Sequence, residues 1–411
     1  MRDAIPIVRR VDVLILGGTA GAVAAALAAA GAGRSVFIAG PRPYLGEDIA
    51  APFDYWLRAD DAIETDLARA VFVQAVKPGT VPGGDPEVIP GSLPGVPPTP
   101  MHVKRTLEQA LVAADVPFLL NAHPAGVLRD GAGRIAGAML ANRAGRQAVV
   151  ARQVIDATER GLLARQAGVA FTDFPTGEHV VEHVTVGGET IDDLPAEALP
   201  AMRDARDDAT IDLPARRYRL TVDLGDGRWD ALAEAYASVA RRCWRPGVFQ
   251  QSERLIVNWP DAVAGEAKVT RWPGASAFPV EPLQVEPGLH VLGAAAPVAR
   301  EVAAQLARPA HLMTVGRRLG ETLAPAPHKA APADDDLSVQ CDGAQAITSG
   351  TVRTLLGGLR PMDQPETFVD APANHLPVLG RFDVVVIGGG TGGAPAGIAA
   401  GRAGARTLVP G

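Results

Sequence analysis

The chain has 411 residues, of which 47% are hydrophobic and 21% are charged, so it has enough apolar side chains for a large core and should divide into more than one domain. Its formal net charge of −7 argues against a nucleic-acid surface, which usually carries a basic excess, and favours a small molecule as the partner. The two cysteines, Cys243 and Cys341, form no C-x-x-C pair and support neither a disulfide framework nor a cysteine-based zinc site.

The first predicted element is an apolar strand that runs from residue 12 into Gly17, followed by a glycine turn, an Ala-rich helix and a second apolar strand ending at residue 40. A glycine turn between strand and helix lets the backbone approach a pyrophosphate, whose charge the helix N–H groups and dipole then stabilise. Here Thr19 and Ala22 occupy the second and third glycine positions of the G-x-G-x-x-G pattern, and Gly40 stands where a carboxylate normally holds the ribose. The sequence predicts a dinucleotide-binding fold with a weakened site.

An export signal could also be imagined in this region, because Arg9 and Arg10 precede an uncharged run over 13–33. The glycines and the following strand explain this run better, and Asp12 interrupts it on one side. The same arrangement recurs near residue 388, where no leader could lie. We therefore expect a cytoplasmic protein without a membrane segment.

The next predicted elements lead into a middle domain. A Pro/Gly-rich stretch at 77–100 indicates a loop, and helical spacing predicts a helix over 103–114. Strands are predicted at 116–122, 123–130, 134–142 and 146–158, with glycines in the last two turns between them. A further helix over 228–243 is expected to cover the middle domain.

Two local groups have both a functional and a structural interpretation. His179, Glu182 and His183 spell H-x-x-E-H, an inverted zinc-protease motif that needs a helix to bring both histidines to one face. The surrounding sequence is β-branched and typical of a strand, so no metal site is predicted. The aromatic residues within 53–56 could flank a ligand, but buried packing is the default for such side chains.

Four segments resemble the FAD-dependent oxidoreductases related to the glutathione-reductase superfamily. The most specific is GRQAVVARQVIDATERGLLARQAG at 145–168, and the others are YLGEDI at 44–49, TPMHVKRTLEQAL at 99–111 and PGLHVLGAAAPVARE at 287–301. The resemblance is patchy between about 170 and 285, where an inserted domain would lie.

This resemblance implies an α/β fold and a division of the chain. A Rossmann-like FAD-binding module would occupy 1–170 and 286–323, with an inserted α+β substrate or cap domain at 171–285. A linker with a short helix would follow at 324–377. The opening βαβ unit of a second dinucleotide-binding module would occupy 378–411.

The resemblance also implies which residues of the first module contact FAD. The set comprises Gly17, Gly18 and Gly21 at the pyrophosphate, Ala157 and Thr158 along the nucleotide, and Gly293 at the last flavin-contacting turn. The loop with Gly46, Glu47 and Asp48 would lie beside the flavin, and a helix around 313–320 would point its start toward the ring.

The first module departs from the family pattern in several places. Ala294 replaces an Asp that binds the ribityl chain, and Glu159 replaces a glycine of the family motif. Together with Thr19, Ala22 and Gly40, these changes remove several groups that recognise FAD. The first flavin site is therefore expected to be degenerate.

A second glycine turn follows an apolar strand at 384–387 and precedes a helix from about residue 394. Gly388, Gly390 and Gly393 give the full G-x-G-x-x-G pattern, and the cofactor-binding residues predicted here are Gly388, Gly389, Gly390, Thr391, Gly392 and Gly393. Gly411 takes the place of the ribose carboxylate. Because a strand, turn and helix cannot enclose a flavin or complete a parallel sheet, we expect a second polypeptide that carries the rest of this module, either made separately or released by proteolysis after Gly411. The alternative is that the sequence has been shortened.

The function predicted from these features is that of a part or subunit of an FAD-dependent oxidoreductase acting on a small organic substrate. Its first flavin site would be degenerate, and its second would be completed by the partner polypeptide in a heterodimer. The alternative is a non-catalytic scaffold subunit that stabilises a catalytic partner. No spacing in the sequence fixes a proton-transfer role, so no catalytic residue is predicted.

Overall fold

The computed structural model describes residues 3–73, 97–206, 209–266, 268–323, 337–340, 368–371 and 380–410. The chain divides into two units, Met1–Cys341 with Thr354–Pro372 and Asp342–Arg353 with Ala373–Gly411, and each is described by itself. Most of the loop predicted at 77–100 and the short helix predicted within 324–377 lie outside the described residues, as does Cys341.

The first unit opens with a parallel sheet and its helices. The elements are β1 (Asp3–Leu16), α1 (Ala20–Gly31), β2 (Val36–Gly40), α2 (Glu47–Ala50), α3 (Asp66–Phe72), α4 (Pro100–Ala113) and β3 (Phe118–Leu120). Strand β2 lies between β1 and β3, and both pairings are parallel. Residues 13–16 of β1 are all buried, as expected for a continuous apolar strand covered on both faces.

Helix α4 begins three residues before the predicted start at 103. The side chain of Thr99 accepts a hydrogen bond from the N–H of His102, and Pro100 occupies the first turn, where its missing N–H costs nothing. The predicted helix is confirmed, and its cap explains the earlier start.

Three antiparallel strands extend the sheet, namely β4 (His123–Arg129), β5 (Ile135–Asn142) and β6 (Gly145–Asp156). Strand β6 also runs parallel to β1, with Val13 opposite Gln153. This strand therefore joins the antiparallel meander to the parallel sheet. These strands confirm the prediction over 123–158.

The inserted region contains α5 (Leu162–Gln166), β7 (Glu178–Gly187), β8 (Ala196–Arg206), β9 (Ala209–Asp223), α6 (Trp229–Cys243) and β10 (Val248–Gln251). Its four strands form an antiparallel sheet in the order β10-β7-β9-β8. Helix α6 packs Val239 and Cys243 against Val181 and Leu220 of this sheet, and this confirms the predicted covering helix.

The chain then returns to the first sheet. A short 3-10 helix at Glu281–Leu283 precedes β11 (Gln284–Glu286), β12 (Leu289–Val291), α7 (Arg300–Leu306), α8 (Pro309–Leu323), β13 (Ser338–Gln340) and β14 (Phe368–Ala371). Strand β12 lies parallel to β6. Strands β13 and β14, which fall within the predicted linker at 324–377, pair with β4 and β1 and belong to this sheet.

Helices α1 and α8 contact each other closely through glycines. A Cβ atom on Gly21 would lie 2.4 Å from Cγ of Leu312, and a Cβ atom on Gly316 would lie 2.2 Å from the carbonyl oxygen of Gly21. Gly320 meets the carbonyl oxygen of Ala25 in the same way. The two helices can approach to backbone contact only because these positions lack side chains.

The second unit contains β15 (Val384–Val385), α9 (Gly393–Arg402) and β16 (Thr407–Leu408). The two strands pair in parallel, so the segment has the predicted strand–helix–strand order. Both units together confirm the predicted α/β class, with a Rossmann-like parallel sheet and a separate antiparallel sheet. No helix in the described ranges is long and apolar enough to cross a membrane.

Candidate functional site

The first glycine turn lies at the carboxyl end of β1, the edge where parallel sheets of this kind bind their ligands. Gly17 has a φ of 106°, and a Cβ atom there would lie 2.5 Å from the carbonyl oxygen of Ala157. Its N–H donates to the carbonyl of Ala39 at 2.8 Å. Gly17 is therefore required for the close approach of β1 to the turn after β6.

The N–H groups of this turn already have acceptors within the protein. The N–H of Gly18 donates to Oε1 of Glu47 at 2.8 Å, and the N–H of Ala20 donates to Oδ1 of Asp48 at 2.8 Å. The side chain of Thr19 accepts from the N–H of Ala22 and caps α1. These are the groups that bind a pyrophosphate in a dinucleotide site, and here two carboxylates occupy them.

The two carboxyl groups share a buried environment. The side chain of Glu47 is only 3% exposed, and burial raises its pKa, although the Gly18 N–H and the Arg254 charge act in the opposite direction. Burial also raises the pKa of Asp48 to about 7, and the neighbouring Glu47 adds to the increase. Asp48 therefore changes its charge near neutral pH.

A cavity of about 120 Å³ remains beside this turn. Its lining includes Ala157, Thr158 and Gly293, which were predicted to contact FAD, and Glu47 and Asp48, which were predicted to lie beside the flavin. Two predicted departures, Thr19 and Ala294, and the segment at 254–257 also line it, whereas Gly17, Gly18 and Gly21 do not. The guanidinium of Arg254 forms an ion pair with Glu159 at this cavity. The volume is below the ~300–1,000 Å³ that is usual for small-molecule and cofactor pockets.

The turns after β6 and β12 are shaped by a buried acid. Asp156 is fully buried and accepts hydrogen bonds from the hydroxyl of Thr158 at 2.6 Å and from the N–H of Ala164 at 2.9 Å. Gly293 has a φ of 149°, and a Cβ atom there would face open space. The structure thus brings Ala157, Thr158 and Gly293 to one cavity, as the resemblance implied for a nucleotide site, and their contact with FAD stays a prediction.

Gly40, a predicted departure, and Gly21, a predicted pyrophosphate contact, have different surroundings. A Cβ atom on Gly40 would lie 3.4 Å from Cα of Gly18, an ordinary van der Waals contact, so the ribose-binding carboxylate is missing here without steric need for a glycine. A Cβ atom on Gly21 would collide with Leu312 on α8, so glycine is needed at this position for the contact between α1 and α8. The hydrogen bonds that the turn donates to the carboxyl groups of Glu47 and Asp48, together with the small cavity, do not fit a bound dinucleotide at the first turn.

The second glycine turn has a different environment. Gly388 has a φ of 95°, and a Cβ atom on Gly393 would lie 1.8 Å from the carbonyl oxygen of Gly388, so both glycines are required by the turn. Cβ atoms on Gly390 and Gly392 would meet nothing within 4 Å. Within the described residues, no carboxylate accepts a hydrogen bond from the backbone of 388–393. This turn is open and fits an incoming pyrophosphate.

Sequence analysis did not identify Arg254 as a site residue or anticipate the hydrogen bonds that Glu47 and Asp48 accept from the first turn. Arg254 belongs to no local motif and reaches the cavity from the inserted region. The sequence shows Glu47 and Asp48 as two adjacent acidic residues after a glycine. Nothing in the neighbouring sequence predicts that they contact the turn at residues 18–20.

Neither the H-x-x-E-H motif at 179–183 nor the aromatic group at 53–56 forms a functional cluster. The aromatic side chains at 53–56 are buried, and Nε1 of Trp56 donates to the carbonyl of Pro200 at 2.9 Å, so they serve packing. His179 and His183 lie on strand β7, and Nδ1 of His183 is 2.9 Å from the hydroxyl of Ser252. Among the described residues, no group of three or more His, Cys, Asp or Glu could hold a metal.

Residues 12–275 match a family model described as FAD dependent oxidoreductase. No curated protein matches the chain significantly. Three similar solved structures are a geranylgeranyl bacteriochlorophyll reductase-like protein from Thermoplasma acidophilum, the flavin-dependent brominase Bmp2 and an aklavinone-11 hydroxylase in complex with FAD and aklavinone.

The identities to these structures are 15%, 13% and 15%, with TM-scores of 0.40, 0.43 and 0.43, in the order given. The matches cover 77%, 77% and 79% of this chain. They cover 78%, 79% and 63% of the other chains.

Proposed function

Because the chain belongs to the FAD-dependent oxidoreductase family, we propose that it is one part of a flavoenzyme acting on a small organic substrate and that it binds FAD with the turn at 388–393. The family match, which covers residues 12–275, confirms FAD as the predicted cofactor, and its place at 388–393 is part of the proposal. When bound, FAD supplies the redox chemistry by taking or giving a hydride or an electron pair, while the protein supplies position and electrostatics. The open second turn is the observation that carries this proposal.

The second turn offers the groups that a pyrophosphate needs. Gly390, Thr391 and Gly392 precede the ten-residue helix α9, so their N–H groups and the positive end of the helix dipole would face the phosphates. The absence of side chains at Gly390 and Gly392 leaves the approach clear. The first turn, whose N–H groups donate to Glu47 and Asp48, would bind no cofactor.

A second polypeptide is part of this proposal because the second unit leaves apolar side chains uncovered. Strands β15 and β16 form a two-stranded parallel sheet, and parallel sheets are normally covered on both faces. Ile387 is 83% exposed, and Val385 and Ile398 are also exposed. We propose that the partner contributes the remaining strands and helices of a Rossmann-like module and forms a heterodimer with this chain.

A non-catalytic scaffold role is the second candidate. The observation that favours it is the closed first turn, since that module keeps its fold while its phosphate-binding N–H groups are occupied. In that case the chain would bind no FAD and would stabilise its catalytic partner.

The two candidates are separated by a matched pair of substitutions. Gly390 and Thr19 occupy the same position of the two glycine turns. Gly390→Asp places a carboxylate in the open turn without a steric clash, whereas Thr19→Asp keeps a good helix cap in the closed turn. Each variant is isolated with its partner through a tag on this chain, and FAD is measured after denaturation together with visible absorbance.

The proposal expects about one FAD in the wild-type complex, loss of most of it in Gly390→Asp, and retention in Thr19→Asp, because a carboxylate repels the phosphates. FAD retained in the Gly390→Asp complex contradicts binding at the second turn. FAD lost only in Thr19→Asp assigns the cofactor to the first turn. A wild-type complex without FAD supports the scaffold role.

A further inference from the structure

We infer that the carboxyl groups of Glu47 and Asp48 are the built-in acceptors of the first glycine turn, replacing the pyrophosphate oxygens and keeping this turn closed to phosphate ligands. The inference deepens the proposed function, on whose statement that the first turn binds no cofactor it rests, and it holds whether or not the second turn binds FAD. We call these two side chains the carboxylate pair.

Helix α1 needs acceptors at its start, and its own first turn contains no acidic residue. Thr19 satisfies only the N–H of Ala22. The carboxylate pair provides the next acceptors, with one oxygen for the N–H of Gly18 and one for the N–H of Ala20, each at 2.8 Å. These two N–H groups lie on either side of Thr19, so the pair spans the turn as the oxygens of a bound phosphate would.

The carboxylate pair lies in the loop of residues 44–51, which includes the short helix α2. This loop is fixed in place at its amino-terminal end. The N–H of Gly46 donates to the carbonyl of Gly18 at 2.7 Å. Gly46 has a φ of 76°, and a Cβ atom there would lie 2.8 Å from Cδ1 of Leu107 on α4. The loop therefore lies between the turn and α4, and only glycine fits at this point.

The carboxyl-terminal end of the loop is held from the inserted region. The N–H groups of Glu253 and Arg254 donate to the carbonyl of Ala51 at 2.8 Å and 3.1 Å. The hydroxyl of Tyr44 donates to Oε2 of Glu253 at 3.0 Å. Because residues on both sides of the pair are anchored, its position is part of the fold.

Arg254 gives the turn the charge pattern of an anion site. Its guanidinium interacts electrostatically with Glu47 and Asp48 and is paired with Glu159. A cation beside the free N–H groups of a helix start is the arrangement that phosphates use. Removal of the carboxylate pair should therefore leave two N–H donors and the Arg254 guanidinium, still paired with Glu159, at the cavity, and these groups would accept a pyrophosphate.

The test uses the full chain with Gly390→Asp as the parent, so that the second turn does not contribute. Glu47→Ala and Asp48→Ala are added together, and inorganic pyrophosphate is titrated by calorimetry and by thermal unfolding. The matched control removes two acidic side chains at exposed positions away from the turn, by Asp192→Ala and Asp193→Ala. A third variant combines Arg254→Gln with Glu47→Ala and Asp48→Ala.

The variant with Glu47→Ala and Asp48→Ala, the alanine variant, should bind one pyrophosphate at least about tenfold more tightly than the parent. Pyrophosphate should also raise the melting temperature of this variant. The control should behave as the parent, and Arg254→Gln should reverse most of the gain. A folded alanine variant without this gain, or a parent that binds equally well, overturns the inference.

The amide variant Glu47→Gln and Asp48→Asn keeps acceptor oxygens of the same size in the turn. It should fold and should exclude pyrophosphate as the parent does. Binding as tight as that of the alanine variant contradicts occupation of the turn by these side chains. If the alanine variant is unfolded in buffer, pyrophosphate should restore a cooperative thermal transition, and failure to restore it contradicts the inference.

Discussion

The carboxylate of Glu47 accepts a hydrogen bond from the backbone N–H of Gly18, although the two residues are 29 positions apart in the sequence. The contact is buried, so neither group can exchange its partner for water. It joins the first residue of α2 to the turn before α1.

Glu47→Ala should therefore destabilise the first unit even in the absence of any ligand. The substitution leaves the N–H of Gly18 buried without an acceptor, which costs about 1–3 kcal/mol. Urea unfolding followed by circular dichroism measures the change. Glu64→Ala, at an exposed position, is the control and should change the free energy of unfolding by less than about 0.5 kcal/mol. Equal effects of the two substitutions would show that the Gly18 contact does not contribute.

Asp48 should make the stability depend on pH between about 4 and 7. Burial raises its pKa from the ordinary 3.8 to about 7, so in this window the folded state binds more protons than the unfolded state. The free energy of unfolding should then fall as the pH rises and level off above about pH 7. Asp48 contributes at most about 4 kcal/mol to this decrease.

Asp48→Asn removes this titration and keeps an acceptor for the N–H of Ala20. The free energy of unfolding of the variant minus that of the wild type should therefore increase from pH 4 to pH 7 and then stay constant. Urea unfolding at a series of pH values gives this difference. A difference that does not change with pH would contradict the raised pKa.

The contact between α1 and α8 predicts opposite effects for two glycine substitutions in one helix. Gly21→Ala would bring a Cβ atom to 2.4 Å from Cγ of Leu312 and 2.8 Å from its carbonyl oxygen, and such overpacking costs about 1–3 kcal/mol. Gly31→Ala meets nothing within 4 Å and should stabilise α1 by up to about 1 kcal/mol. Thermal unfolding of the two variants compares them, and a Gly21→Ala protein as stable as Gly31→Ala would refute the close contact.

A buried ion cluster gives the fourth prediction. Oδ2 of Asp261 lies 2.5 Å from Arg160 and 2.6 Å from Arg165, and its side chain is 2% exposed. Asp261→Ala would leave two partly buried guanidinium groups without their shared partner, and should cost about 2–4 kcal/mol. Glu234→Ala, which breaks a largely exposed pair with Arg241, should cost less than about 1 kcal/mol. Chemical denaturation measures both, and similar losses would contradict this ranking.

The predicted elements that proved correct have signals within a few residues. The continuous apolar run into Gly17, the glycines at the hairpins before β5 and β6, and the helical spacing before residue 114 all come from local periodicity and turn chemistry. Even the earlier start of α4 follows from a local cap at Thr99. The α/β class could be predicted because these signals alternate in the order of a βαβ unit.

The contacts that close the first turn could not be predicted in this way. Glu47 reaches Gly18 through the tertiary path of its loop, and Arg254 arrives from the inserted region. Strands β13 and β14 are only three and four residues long, too short for an alternating pattern to identify them. These features depend on the position of whole segments, which local sequence does not encode.

The contact of Gly40 with Gly18 also bears on how the first module could change over generations. A Cβ atom on Gly40 would lie 3.4 Å from Cα of Gly18 and 3.4 Å from a methyl group of Leu120, which are ordinary van der Waals contacts. A carboxylate gained at this position would still face a turn whose N–H groups donate to Glu47 and Asp48. A nucleotide site at the first turn therefore requires coordinated changes at the end of β2 and at the start of α2.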